Sequence, residues 1–235
     1  MKDKKLIGSI VVALAIVIAG LALRSGMVTF KDRDRVVSVK GLAEREVKAD
    51  KVTWPLRYVE MGNDPMAIYE ALERKNDIIR RFLHQGGIKD AEISITPPAV
   101  TDRQANDYGD MSQLARYKAS SVITVTSSNV DLVRDLLKRQ SELMKQGVAL
   151  VAQDYGENGV TYEFTGLNGI KPEMVEEATK NARTTAEKFA ADSESKIGKI
   201  SRASQGQFSI EDRDATTPYI KNVRVVITMD YLLED

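Results

Sequence analysis

The chain of 235 residues contains no cysteine. It can form no disulfide and do no thiol chemistry, which excludes a disulfide-stapled scaffold and leaves the fold to its core. It has a single histidine, His84, so a metal site built from a histidine cluster is ruled out by count. Net charge is also missing. The 34 basic and 34 acidic residues cancel at neutral pH. Residues 1–25 hold Lys2, Lys4, Lys5 and Arg24 against Asp3, so the remainder is slightly acidic. Nucleic-acid binding wants a basic surface, so the balance argues against that class of partner and none is expected.

What the chain does have is one long apolar run, Leu6 to Leu23, LIGSIVVALAIVIAGLAL. It carries no charge, and only Gly8, Ser9 and Gly20 interrupt its aliphatic character. As a helix it would span roughly 27 Å, close to the hydrocarbon core of a bilayer. Its length favours an uncleaved anchor. The competing reading is a cleaved signal, with Gly20-Leu21-Ala22 as its site. A buried helix of a soluble domain does not suit a run that is apolar on every face and lies at the terminus. Three lysines in the first five residues favour keeping that end in the cytoplasm, although Arg24, Lys31, Arg33 and Arg35 follow the run. The expected organisation is a cytoplasmic stretch 1–5, a transmembrane anchor 6–24, a charged stalk 25–35 and an extracytoplasmic domain 36–235. The folded part is about 210 residues, enough to bury a core as one domain or two small ones.

Within it, Val37 and Val39 open a strand over about 36–48. Val52, Trp54, Leu56 and Tyr58 then alternate on one face, with Pro55 suggesting an edge or a bulge. The two strands are expected to form a hairpin. Asp64 and Pro65 start a helix that carries Ile68, Leu72, Ile79, Phe82 and Leu83 inward and stops at Gly86-Gly87. Ile93 and Ile95 mark a strand that Pro97-Pro98 is expected to end, before a polar loop or hairpin tip over 101–113. Tyr117, Ala119, Ile123 and Val125 alternate in the next strand. Ser128 and Asp131 stand at capping-box spacing for a helix that runs to Gly147 and buries Val130, Val133, Leu136, Leu137 and Leu143.

Val160, Tyr162 and Phe164 give a further strand. Pro172 opens the longest helix, to about Ile197, with Val175, Ala178, Ala182, Ala186, Phe189 and Ile197 as its inner face and Gly198 as its stop. Strands over Ile200–Ile210 and Val223–Tyr231 close the chain around a polar loop from Glu211 to Pro218. The coarse order is ββαββαβαββ after one N-terminal transmembrane helix, an α+β fold with mainly antiparallel strands. No short repeat is visible, only a loose similarity of two ββα-like halves.

This ordered set resembles the bacterial SIMPL-domain family. VVSVKGLAEREVKADKVTW resembles its opening strand, glycine turn and second strand. The helix 65–85 with its Gly-Gly-Ile end, the helix from Asn129-Val130-Asp131 and the Ala- and Lys-rich EEATKNARTTAEKFAADSESKIGKI follow in the family's order over about 36–233. The chain departs from it in having Ala49-Asp50 where Pro-Asp is usual, and Ile197-Gly198 where Leu-Gly is common. Many members also carry a cleavable signal. The resemblance implies an extracytoplasmic α+β domain, loosely associated with the cell envelope, stress tolerance and oligomer formation. It brings no catalytic residues, because the family has no agreed activity.

The residues offer little chemistry of their own. His84, beside Phe82 and Leu83 at a helix end, reads as a favourable partner of the helix dipole. Asp102, Asp107 and Asp110 crowd one loop without the alternate spacing of a calcium loop, and Asp154 and Glu157 flank Gly156 in a turn. Glu44 and Glu46 share a strand face that reads as solvent-facing. The serines lack a Gly-x-Ser-x-Gly elbow, and Gly41, Gly62, Gly86, Gly87 and Gly147 build no phosphate loop. Trp54 and the strand tyrosines read as core. Glu176 and Lys180 form a supporting helical pair.

No catalytic, cofactor-binding or metal-binding residue is therefore assigned, and no enzyme is expected. The expected protein is a membrane-anchored envelope component facing the periplasm or exterior. It would self-associate or dock on another envelope protein. The alternatives are a monomeric module that captures a small molecule or peptide in a groove between helix and sheet and, less favoured, an uncharacterised enzyme.

Overall fold

The computed structural model describes residues 14–23, 35–106, 115–151 and 159–234. Residues 14–23 of the apolar run form a helix, α1, exposed along its length. No described helix is long and apolar enough to cross a membrane. The rest of the expected anchor 6–24, the stretch 1–5 and the stalk 25–35 apart from Arg35 lie outside the described residues.

The remaining elements are α+β with antiparallel sheets. They are β1 (Val36–Lys48), β2 (Lys51–Gly62), α2 (Pro65–Gln85), β3 (Ile93–Asp102), α3 (Arg103–Asn106), β4 (Tyr117–Ser127), α4 (Val130–Arg139), α5 (Ser141–Lys145), β5 (Thr161–Glu163), α6 (Leu167–Asp192), β6 (Lys196–Gln205), β7 (Ser209–Asp212) and β8 (Ile220–Glu234). They divide into two compact units. One holds the described residues up to Arg45, Asn168–Ser209 and those from Val223 onward; the other holds Glu46–Leu167 and Ile210–Asn222.

In the first unit, β8 lies between β1 and β6. Arg35 accepts from the Leu233 N–H, and Glu44 meets Arg224, so β1 and β8 run in opposite directions. Val37, Val39 and Ala43 alternate inward on β1, as do Val223, Val225, Ile227, Met229 and Tyr231 on β8. Over this face α6 lays a narrow stripe of Met174, Ala178, Ala182, Ala186 and Ala190, one residue every helical turn. The small side chains bring the helix backbone onto β1. A Cβ on Gly41 would stand 1.9 Å from the Ala178 carbonyl oxygen and 2.8 Å from the Ala182 Cβ. Asn181 seals the contact by donating to the Leu42 carbonyl at 2.9 Å, and Arg45 pairs with Glu173 at 2.7 Å.

This unit corrects several expectations. The long helix starts at Leu167 with Pro172 inside it, and it ends at Asp192. Phe189 is 62 % exposed, because the close helix–sheet approach admits Ala190 at that turn and not an aromatic ring. Val175 is only half-buried, and Ile197 and Gly198 belong to β6. The helix stop is instead Glu194, at φ 55. The Ser195 N–H reaches the Ala190 carbonyl at 2.9 Å and the Glu194 N–H reaches Ala191 at 3.2 Å, the double bond of a Schellman turn. The expected strand from Ile200 to Ile210 is two strands, β6 and β7.

The second unit has a sheet in the order β3-β4-β2-β5. Val52, Trp54, Leu56 and Tyr58 of β2 and Ile123 and Val125 of β4 face a core shared with α2, α4 and α5. Helix α2 follows its sequence signals: Asp64 caps by accepting from the Met66 N–H at 2.9 Å, and Gly87 turns the chain out at φ 92. The cap of α4 is Asn129, which accepts from Leu132, and not Ser128; Asp131 pairs with Arg134. The expected single helix to Gly147 breaks at Gln140 into α4 and α5.

The expected hairpin of β1 and β2 does not form. The chain changes sheet between them: the Ala49 N–H reaches Tyr219, and the next N–H, of Asp50, reaches Glu163 on β5. Pro97-Pro98 does not end β3 either. It sits in a bulge between Thr96 and Ala99 on an edge strand, where the missing N–H groups cost little, and β3 continues to Asp102 as a hairpin with β4. Pro55 lies on a strand between β4 and β5, and not on an edge strand. Among the described residues, β5 pairs with Lys51–Thr53 and the Val151 N–H reaches the Arg57 carbonyl on that side.

Two substitutions test this packing. Gly41→Ala drives a methyl group into the backbone of α6 and lowers stability by about 2–3 kcal/mol in denaturant unfolding. Glu194→Gly relieves a left-handed position and raises stability by roughly 0.5–1 kcal/mol in the same assay.

Candidate functional site

The charged residues singled out in the sequence fall into separate structural pairs. His84 places Nδ1 3.0 Å from the Ile88 carbonyl and Nε2 3.2 Å from Asp90, whose same oxygen takes Arg80 at 3.1 Å. Glu44 faces Arg224 at 3.3 Å, and Glu46 faces Arg213 at 3.4 Å. Asp107, Asp110, Asp154 and Glu157 lie outside the described residues. Trp54 is core, at 3 % exposure. Among the described residues no three acidic or histidine side chains are grouped to hold a metal ion.

Three aspartates act as local clamps. Asp50 accepts from the Thr165 N–H and hydroxyl and from the Gly166 N–H, pinning the segment that enters α6. Asp214 gathers the N–H and hydroxyl groups of Thr216 and Thr217 and the Arg213 guanidinium. These donors hold its carboxyl far below the usual aspartate range, the Thr216 and Thr217 hydroxyls foremost. Asp102 takes Arg116 Nη2 at 2.8 Å and Nε at 3.1 Å, and the Gln104 N–H at 3.1 Å; the Arg116 bond lowers its pKa. In the core, Tyr58 donates to Asn76, whose amide reaches Glu73, and burial pushes the Tyr58 hydroxyl pKa up. These groups serve the fold.

A different place collects Thr101, Lys118 and Ser120, three polar side chains without a bond among the described residues. On β2 the core residues are even-numbered and on β4 odd-numbered, so Met61, Lys118 and Ser120 face the other side of the sheet. The register sets Thr101 opposite Lys118 and Lys118 opposite Met61. Ser120 follows two residues along β4. With Arg103, just past the end of β3, they line a depression of about 420 Å³. The Asp102–Arg116 clip closes the base of the β3–β4 hairpin and keeps the Asp102 carboxylate engaged there. Sequence reading missed this set. The outward parity of Lys118 and Ser120 is visible in the alternation of β4, but ending β3 at the prolines hid the position of Thr101.

The class is thus an α+β protein of antiparallel sheets, each with helices on its core face. The chain matches the profile of the SIMPL family, described as proteins of unknown function (DUF541), over residues 37–231. It belongs to that family. No curated protein matches it.

The Asp214 clamp has a pH signature. A carboxylate whose pKa is depressed by folding stabilises above its unfolded value, near 4, and loses that contribution as pH falls toward its folded value. Asp214→Ala therefore lowers the melting temperature at neutral pH, and the gap to the native chain narrows below about pH 4 in thermal melts.

Proposed function

We propose that this SIMPL-family protein is a non-enzymatic component of the bacterial cell envelope. In this reading residues 6–24 tether it to the cytoplasmic membrane, and the folded part stands outside the cytoplasm. It works by association, with further copies of itself or with another envelope protein, and it serves envelope stress tolerance. The observation that carries the reading is the uncharged run from Leu6 to Leu23 with three lysines before it.

Two features support the rest. Among the described residues, Glu44, Glu46, Asp50, Asp102, Asp214 and His84 are engaged in clamps and ion pairs, which suits a structural role better than proton transfer. Among the described residues, both sheets also end in strands paired on one side. β1 and β6 flank β8, and β6 is exposed along most of its length. Such edges are templates for a further strand. On β3 the Pro97-Pro98 bulge blunts that tendency.

Fractionation and light scattering test the proposal. The full chain is expected in the membrane fraction and resistant to carbonate extraction. A phosphatase fused to its C-terminus is expected to be active, as it is only outside the cytoplasm. In neutral detergent the purified chain is expected at a fixed multiple of the monomer mass across a dilution series. A soluble product shortened by its first residues would reject the tether. A monomer at every concentration that also retains no envelope protein would reject association, and a specific turnover would reject the non-enzymatic role.

A further inference from the structure

Lys118, Thr101 and Ser120 present a cation and two hydroxyls to one depression. Among the described residues, none of these three side chains has a hydrogen bond or ion pair within the protein. Directly opposed residues of an antiparallel pair stand about 5 Å apart, and residues two apart on a strand about 7 Å. With charge-assisted bonds of about 2.8 Å reaching inward, one tetrahedral or planar oxyanion can touch all three at once.

Among the described residues of the sheet, the surrounding charge favours an anion. The outward positions of β2 from Thr53 to Met61, and of β4 from Lys118 to Thr126, carry Arg57 and Lys118 and no carboxylate. The nearest acidic groups on these strands are turned to other work. Glu60 pairs with Lys75, and Asp102 is held by Arg116. Among the described residues, no carboxylate of the sheet therefore neutralises Lys118. Met61, 54 % exposed, closes one side with an apolar wall. A volume of about 420 Å³ suits a small ligand, such as a sugar bearing one anionic group.

We infer that this depression on the open face of the β3–β4–β2 sheet is a binding site for an organic oxyanion, with a phosphate monoester as the favoured ligand. Lys118 supplies the charge. Thr101 and Ser120 orient the oxyanion by donating their hydroxyl protons, and Met61 contacts the carbon skeleton. The inference is independent of the membrane tether and of self-association.

Titration calorimetry on the full chain in neutral detergent tests it. Glucose 6-phosphate is the probe, and glucose is its uncharged control. Glucose 6-phosphate is expected to bind saturably, more weakly as salt is raised, with glucose showing no binding. Lys118→Gln is expected to weaken binding about ten-fold or more, as loss of a charged hydrogen-bond partner does. Thr101→Val with Ser120→Ala weakens it further. Arg57→Gln, on the same face but away from the depression, leaves it unchanged. Circular dichroism confirms that each variant folds. A parallel titration uses micelles doped with phosphatidate. Binding seen only there, and lost in Lys118→Gln, would place the same phosphate chemistry on a lipid headgroup and uphold the oxyanion site. Absence of binding in both titrations would overturn the inference. So would binding that survives Lys118→Gln, or glucose binding as tightly as its phosphate.

Discussion

Asp50 is the residue through which distant parts of the chain are held together. Its backbone N–H pairs with Glu163, and its carboxylate takes the Thr165 and Gly166 N–H groups. Its neighbour Ala49 is bonded to Tyr219. Three segments more than fifty residues apart thus meet at one dipeptide, where the chain leaves the sheet of β1 and enters that of β2. A carboxylate suits this junction because it can accept several backbone donors at once, and the start of a helix offers unpaired N–H groups. Gly166 is part of the same arrangement, since a Cβ there would stand 3.2 Å from an Asp50 oxygen.

The packing of α6 on β1 rests on size. Four alanines and one methionine at successive turns form the buried stripe, and Gly41 faces them without a side chain. Each alanine buries little apolar area, so the contact gains more from closeness than from volume. The second unit is built differently. Trp54, Leu56, Tyr58, Phe82 and Leu83 fill its core with large side chains, and its polar members are bonded in pairs. Its other sheet face mixes the hydroxyls of Thr53, Ser120, Thr124 and Thr126 with Arg57, Lys118 and the Lys51–Glu163 pair.

Local signals were legible where one segment carries its own instructions. Asp64-Pro65 and Gly86-Gly87 bound α2 because capping and left-handed turns depend on a few neighbouring atoms. The alternation of Val223 to Tyr231 marks β8 for the same reason. Signals failed where a distant partner decides. Proline at 97 and 98 reads as a stop, yet an edge strand can bulge around it. Phe189 reads as inward on periodicity, yet the sheet beneath accepts only alanine. Ser128 reads as a cap, yet the Asn129 side chain, one residue on, supplies the bond. The depression was illegible because its members come from three segments whose register depends on that bulge.

By itself the sequence determined the α+β class, the family, the placing of most helices and strands, and the absence of thiol and histidine-cluster chemistry. Composition and short-range periodicity suffice for these. Only the tertiary structure decided that β1 and β2 part into different sheets, that Glu194 ends α6, and that Thr101, Lys118 and Ser120 share one surface. Strand pairing joins residues far apart in the chain, and hydrogen bonds between strands are nearly indifferent to side-chain identity. Which strand meets which is therefore settled by how the whole set of apolar faces can be buried together, and no local stretch of sequence contains that answer.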